Sequence, residues 1–224
     1  MNFKIFEFLH FTQPTVEQSG VLKAMEDFVS SENQYDFMVL CGAAGTGKTS
    51  ITAALIGYLN ELGKPYKISA PTGRAARILG RKAKTTTSTI HSMIYAPKAD
   101  NETGKVTFKL KLGHNANPTI YIIDEASMIP KDIDKEQNLF QVEKGLIYDL
   151  IAYIKNANVN NKIIFLGDRY QLPPIDEAES YALNKEFLER TFNLKGNSYL
   201  LTEVKRQEDG SYILENATDI RKSY

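Results

Sequence analysis

The sequence predicts an α/β domain with a mostly parallel central sheet and helices on both faces. Short, nearly continuous apolar segments are typical of strands buried on both sides, and this chain has them at residues 37–42, 66–72, 119–126, 162–168 and 198–204. Stretches with a helical apolar period lie between them, at residues 16–29 and 139–154. This alternation favours strands joined by right-handed helical crossovers.

One polar, lysine-rich segment interrupts the alternation at residues 95–117. Within it, KVTFKLKL alternates like an exposed strand, and NETG just before it has the composition of a turn. We predict a small β-hairpin inserted into the larger domain, with a solvated surface loop as the alternative.

Composition narrows the classes of protein. The 224 residues carry 27 basic and 27 acidic side chains, and this neutral balance counts against a nucleic-acid partner. However, residues 73–84 hold five basic residues and no acid, so a basic surface on a neutral protein stays possible. No apolar stretch reaches the roughly 20 residues of a membrane span. The single cysteine, Cys41, and an amino terminus unlike a signal peptide predict a cytoplasmic protein without membrane contact.

The segment GAAGTGKT, at residues 42–49, fits the phosphate-binding pattern G-x-x-x-x-G-K-[ST]. It follows a predicted strand and precedes a predicted helix, so backbone N–H groups and the helix amino terminus would face phosphate oxygens. Lys48 would neutralise the β- and γ-phosphates, and the Thr49 hydroxyl would ligate Mg²⁺. The alternative is a glycine-rich turn without a ligand.

Acidic and amide side chains follow two other predicted strands. Asp124 and Glu125 end the apolar run TIYII, where they suit a Mg²⁺ holder and a base for the attacking water, or else a helix cap. Gln171 lies three residues beyond Asp168 in GDRYQLPP. Its amide can donate and accept, so it suits a phosphate sensor, and the two prolines after it restrict the loop. A rigid turn without such a role is equally compatible with these residues.

Six segments in order, GAAGTGKT, APTGRAA, STIH, IIDEAS, GDRYQLPP and LTEVKRQ, resemble the motifs of superfamily 1 helicases of the RecD/Dda group. The resemblance covers residues 12–222. It implies a RecA-like P-loop NTPase fold, ATP and Mg²⁺ as ligands, and 5′ to 3′ movement on single-stranded DNA.

The resemblance also implies roles for individual residues. Catalysis would involve Lys48, Glu125, Gln171 as the γ-phosphate sensor, and Arg206 at the domain junction. Mg²⁺ would be held by Thr49 and Asp124. The ATP-binding residues implied are Gln18, Gly42, Ala44, Gly45, Thr46, Gly47, Lys48, Thr49 and Ser50.

Gln18 has two interpretations. It is similar to the adenine-reading glutamine of the family, but Thr15 and Gln18 also have the spacing of a helix capping box, and both roles are compatible.

The DNA-binding residues implied are Thr72, Gly73, Arg74, Ser88, Thr89, His91 and Phe108. On a helix, Arg74, Arg77 and Arg81 would share one face, which suits either DNA phosphates or plain solvent. The hairpin lies where the group carries its strand-separating pin. Either Phe108 or Tyr95 would stack on a base there, unless the aromatic rings pack on the hairpin itself.

We predict a RecA-like ATPase domain at residues 1–205, with the hairpin at about 95–117 as a subdomain. Residues 206–224 would form a terminal helix leading toward a second RecA-like domain that the sequence does not contain. The chain is therefore expected to be a first motor domain alone, with weak hydrolysis and no unwinding. Alternative hypotheses are a P-loop ATPase acting on RNA or a protein partner, and a non-catalytic nucleic-acid-binding module.

Overall fold

A six-stranded parallel sheet forms the centre of the molecule. The computed structural model describes residues 3–11, 13–30, 32–83, 85–99, 106–132 and 145–204. The strand order is β3-β2-β6-β7-β1-β8, and each neighbouring pair is parallel. The sheet strands are β1 (Phe37–Gly42), β2 (Tyr66–Ala70), β3 (Ser88–Thr89), β6 (Ile120–Ile123), β7 (Lys162–Gly167) and β8 (Gly196–Leu201).

Helices cover both faces of the sheet. They are α1 (Val16–Phe28), α2 (Lys48–Glu61), α3 (Gly73–Ala83), α4 (Ile90–Ile94), α5 (Leu146–Ala157) and α6 (Lys185–Phe192). Short 3₁₀ turns occupy Lys4–Phe8, Ala126–Met128 and Tyr181–Leu183. Within the described ranges, no helix combines the length and the apolar character that crossing a bilayer requires.

The predicted α/β fold is confirmed, and alternate side chains of each central strand enter opposite cores. In β1, Phe37, Val39 and Cys41 belong to the core under α4, α5 and α6, whereas Met38 and Leu40 belong to the core under α1 and α2. All six residues of β1 are buried. Burial on both faces explains why these strands appear in the sequence as continuous apolar runs.

Helix α5 begins at Leu146, and the part of the predicted helix at residues 139–144 lies outside the described residues. Gly145 precedes it, and a Cβ atom at that position would lie 2.0 Å from the carbonyl oxygen of Lys131. Only glycine therefore lets the chain pass Lys131 at this distance and enter the helix.

The predicted inserted hairpin is present as a pair of antiparallel strands, β4 (Tyr95–Ala99) and β5 (Val106–Leu110). Its base is fixed to the domain at Lys111. The Lys111 backbone amide donates to the Ile94 carbonyl at 2.7 Å, and its ammonium donates to the carbonyls of Ser92 (2.7 Å) and Met93 (3.2 Å). A cation at these last carbonyls of α4 is favourably placed.

A half-buried lysine on a central strand binds the carbonyl groups at the end of α1. The Lys162 ammonium, at the start of β7, donates to the carbonyl oxygens of Phe28 (2.7 Å), Ser30 (3.2 Å) and Asn33 (2.7 Å). Burial lowers the Lys162 pKa, which reflects the partial loss of its hydration. These three bonds tie α1 to the central strand β7.

We predict that Lys162→Met lowers the free energy of unfolding by about 2 kcal/mol, because three carbonyls lose a charged donor while the aliphatic packing is kept. Urea unfolding followed by circular dichroism measures the change. Lys185→Met is the control, since Lys185 is partly exposed and forms an ion pair with Glu189 at 3.2 Å; its cost should stay below about 0.5 kcal/mol. Equal losses for the two variants would contradict the assigned role of Lys162.

Candidate functional site

The loop between β1 and α2 wraps into a small cradle. Gly45 (φ 89°) and Gly47 (φ 93°) both have the left-handed backbone that favours glycine. A Cβ atom at Gly42 would lie 2.6 Å from the Thr46 hydroxyl oxygen, and one at Gly47 would lie 2.6 Å from the Gln18 amide nitrogen. The positions of these glycines therefore depend on the absence of side chains, as a loop that closes around phosphate oxygens requires.

Lys48 begins α2 and folds back over the loop. Its ammonium donates to the carbonyl oxygen of Gly42 and, at 3.0 Å, to that of Ala43. Burial lowers the Lys48 pKa, while the carboxylates of Asp168, Glu125 and Asp124 act in the opposite direction. The first turn of α2 has no acidic residue to compete for its amide groups. This donor set fits the phosphates of a nucleotide, whose oxygens can replace the two loop carbonyls.

The remaining predicted nucleotide-binding residues lie on the same loop and first turn. Thr46 is buried, Thr49 is half-buried, and Ala44 and Ser50 are exposed. Hydroxyl and carboxylate oxygens are the ligands that Mg²⁺ prefers, so Thr49 and Asp124 have suitable chemistry to hold it beside a nucleotide.

Gln18 is 2% exposed and connects α1 to the loop. Its carbonyl oxygen accepts from the Thr15 backbone amide at 3.0 Å, and the Thr15 hydroxyl accepts from the Gln18 backbone amide at 3.1 Å. The capping box is therefore confirmed. The Gln18 side-chain nitrogen donates to the Thr46 carbonyl at 2.9 Å, so this residue also supports the phosphate loop. Its role in reading adenine stays a prediction.

Three carboxylates lie beyond the ends of β6 and β7. Asp124 directly follows β6, where its backbone amide donates to the Ser69 carbonyl at 2.9 Å. Asp168 directly follows β7 and is 3% exposed. Glu125 has a left-handed backbone (φ 51°, ψ 38°), which is uncommon for a side chain of this type and turns the chain sharply after Asp124. Conformational strain of this kind is concentrated at functional sites.

The Gln171 loop turns tightly around Asp168. The Tyr170 backbone amide donates to the Asp168 carboxylate at 3.0 Å, and the Gln171 backbone amide donates to the Asp168 carbonyl at 3.2 Å. The Gln171 side chain is exposed, and its amide oxygen accepts a hydrogen bond from the Ser127 hydroxyl at 3.0 Å. The loop is thereby joined to the segment that carries Asp124 and Glu125.

The sequence did not indicate a role for Arg169, next to Asp168. Its guanidinium donates to the Cys41 sulfur at 3.3 Å and to the Ser198 hydroxyl at 3.0 Å, so it links the ends of β7 and β1 to β8. Arg169 and Gln171 also line a cleft of about 490 Å³. The sequence shows the pair Gly-Asp at the end of a predicted strand, but this pair does not predict the direction of the Arg169 side chain.

The two predicted DNA-binding segments lie side by side. Strand β3 pairs with β2, with Ser88 opposite Ser69 and Thr89 opposite Ala70, and Thr72 and Gly73 lie two and three residues beyond the end of β2. The Thr72 hydroxyl accepts from the Ala75 amide at 3.2 Å, and the Thr89 hydroxyl accepts from the Ser92 amide at 3.1 Å. These hydroxyls therefore cap α3 and α4.

The predicted arginine face of α3 is present, because Arg74, Arg77 and Arg81 are all exposed. His91, on α4, is half-buried, and burial lowers its pKa. Its ring lies 5.8 Å from the Tyr95 ring. The DNA-binding role of His91 stays a prediction.

The hairpin aromatics are held by the protein. Tyr95 is 5% exposed, and its hydroxyl donates to the Asp149 carboxylate at 2.6 Å, so the expectation that it can stack on a base is wrong. Phe108 is half-buried, lies opposite Pro97, and packs against the core under α5. Base stacking by Phe108 stays a prediction. Arg206 and the terminal helix at residues 206–224 lie outside the described residues.

Comparisons with known proteins agree with this geometry. A family model described as an AAA domain matches residues 16–223. The ATP-dependent RecD2 DNA helicase of Deinococcus radiodurans is 27% identical over 164 residues, covering 73% of this chain and 20% of that protein. The ATP-dependent DNA helicase dda of Enterobacteria phage T4 is 29% identical over 182 residues, covering 80% of this chain and 36% of that protein.

Among solved structures, the Pif1 helicase from Candida albicans is similar in fold, with a TM-score of 0.56 and 21% identity over 94% of this chain and 44% of that chain. The chain spans about a fifth to a third of the length of the two curated relatives described above. The family model matches residues 16–223, and the six sequence motifs cover nearly the same residues, 12–222. The chain therefore belongs to the AAA domain family, as a RecA-like domain of the RecD/Dda-like superfamily 1 group.

Proposed function

We propose that this chain is the ATP-binding and ATP-hydrolysing motor domain of a DNA helicase that translocates on single-stranded DNA. The observation that supports it is the meeting of the phosphate loop, three carboxylates and the Gln171 loop at one edge of a parallel sheet. The two hydroxyl-rich segments after β2 and at β3 lie at the same edge. Ligands of open α/β sheets bind at this edge.

In this proposal the amide groups at the start of α2 and the Lys48 ammonium bind the phosphates of ATP. Thr49 and Asp124 would hold Mg²⁺, whose positive charge would offset the negative charge of the phosphate oxygens. Glu125 orients a water molecule and takes its proton. Gln171 donates to the γ-phosphate, so that the loop responds when this phosphate leaves.

Single-stranded DNA is the proposed partner of Thr72, Gly73, Arg74, Ser88, Thr89 and His91. The exposed arginines of α3 add a charge-dependent contribution, because cations that neutralise DNA phosphates release counterions. A second RecA-like domain is the proposed partner on the other side of the nucleotide, with Arg206 at the junction. In this proposal, rapid hydrolysis and unwinding need both domains, whereas nucleotide binding needs only the domain that carries the phosphate loop.

Fluorescence anisotropy with labelled oligonucleotides tests the nucleic-acid half of the proposal. We expect this chain to bind single-stranded DNA. Arg74→Ala combined with Arg77→Ala should weaken binding and reduce the slope of log affinity against log salt concentration by the amount expected for the loss of about two phosphate contacts. The mutations Lys4→Ala and Lys195→Ala form the charge-matched control, because both lysines are exposed and Lys195 precedes β8, at the opposite side of the sheet from β3. No DNA binding with or without a non-hydrolysable ATP analogue would contradict the proposal and favour an ATPase acting on a protein partner. Preference for RNA of the same sequence would favour an RNA-directed ATPase.

The left-handed backbone at Glu125 yields a second prediction. We expect Glu125→Gly to be more stable than Glu125→Ala by about 1 kcal/mol, because glycine adopts φ 51° without strain. At the exposed Glu61, the last residue of α2, the order should reverse, with Ala more stable than Gly by about 0.5–1 kcal/mol.

Both pairs of variants lose one carboxylate, so the comparison cancels the charge effect. Urea unfolding of the four variants measures the two differences. Alanine more stable than glycine at position 125 would show that the strain at this site is absent in solution.

A further inference from the structure

The segment with the catalytic carboxylates and the Gln171 loop are joined by one side-chain hydrogen bond. The Ser127 hydroxyl donates to the Gln171 amide oxygen at 3.0 Å, across 44 positions of sequence. The roles assigned above in nucleotide and DNA binding do not include Ser127.

Ser127 is held independently of Gln171. It is fully buried on the 3₁₀ turn after Glu125, and its carbonyl accepts from the Ser180 hydroxyl at 3.1 Å. Its backbone nitrogen would lie 3.2 Å from a Cβ atom at Gly167, so it packs directly on the end of β7. The hydroxyl therefore has a fixed position from which to act on the loop.

Gln171 has the opposite character. Its backbone is fixed by the turn at Asp168 and by the prolines that follow, but its side chain is exposed. A primary amide has two ends of similar shape and opposite polarity, and rotation by 180° exchanges them. Toward an anionic phosphate, the N–H end is attractive and the oxygen end is repulsive. A contact with phosphate therefore requires another group that fixes the Gln171 amide in one of its two orientations.

We propose that Ser127 is a positioning residue that fixes the orientation of the Gln171 amide. By donating to the amide oxygen, the Ser127 hydroxyl leaves the N–H₂ end to meet the γ-phosphate. This inference rests on the proposed function, because it takes Gln171 as the group that detects this phosphate. Without the hydroxyl, the amide loses its selected orientation and its contribution to γ-phosphate recognition falls.

Calorimetric titration of this chain tests the proposal through the ratio of its affinities for a non-hydrolysable ATP analogue and for ADP, both with Mg²⁺. The ratio isolates the γ-phosphate from the rest of the nucleotide. We expect Ser127→Ala and Gln171→Ala each to lower the ratio by about fivefold, the factor that one ordinary hydrogen bond contributes. The double variant should lower it no further, because Ser127 acts only through Gln171.

Ser180→Ala is the matched control. It removes the other hydrogen bond at Ser127 but not the hydroxyl contact to Gln171, so it should lower thermal stability and leave the ratio unchanged. If Ser127→Ala does not fold, Ser127→Cys replaces it, since a thiol of similar size is a weaker donor and should lower the ratio in the same direction.

An unchanged ratio in the folded Ser127 variant, with a lowered ratio in Gln171→Ala, would overturn the positioning role and leave the proposed function intact. An unchanged ratio in Gln171→Ala would also overturn it, because Gln171 would then have nothing to detect. A lowered ratio in Ser180→Ala would show that general disturbance suffices. Failure of the unaltered chain to bind either nucleotide would contradict the proposed function itself.

Discussion

Parallel pairing of the central strands is the constraint on which the candidate site depends. In the observed register, Cys41 of β1 lies opposite Gly167 of β7, and Ile123 of β6 lies opposite Phe165 of β7. All three strands therefore end at the same edge, and the phosphate loop, Asp124 and Asp168 follow directly. A slip of one residue would also move every side chain to the opposite core, which the apolar burial on both faces of β1 opposes.

This edge concentrates negative charge around one ammonium group. Lys48 interacts with Asp168, Glu125 and Asp124 while burial lowers its pKa. Several carboxylates in a partly buried place are costly unless positive charge lies near them; Lys48 and the guanidinium of Arg169 supply part of it, and a metal-bound ligand would add more. A nucleotide bound with Mg²⁺ meets this condition better than free phosphate does. The same carboxylates that suit catalysis thus favour a metal-bound substrate over bare anions.

The sequence predicted the parts whose signals are local. Five apolar runs became strands of the sheet, the capping box at Thr15 is present, and the glycines of the phosphate loop have the expected backbone. Strand β3 has only two residues, which is too short to show a period. The hydrogen bonds from Ser127 to Gln171 and from Arg169 to Cys41 span 44 and 128 positions, so no local sequence pattern predicts them. The burial of Tyr95 was not predictable from a local pattern, because its hydrogen-bond partner, Asp149, lies 54 positions away on α5.

We infer that a nucleotide binds at this edge of the sheet through Lys48, together with a divalent cation. Calorimetric titration of the chain with a non-hydrolysable ATP analogue, with Mg²⁺ and with a chelator, tests it most directly. We predict saturable one-to-one binding with Mg²⁺ and about tenfold weaker binding without it. Lys48→Met should weaken binding by at least about tenfold, because it removes a charged hydrogen-bond donor worth about 1.5–3 kcal/mol. Equal affinity in Lys48→Met and the unaltered chain would contradict the account.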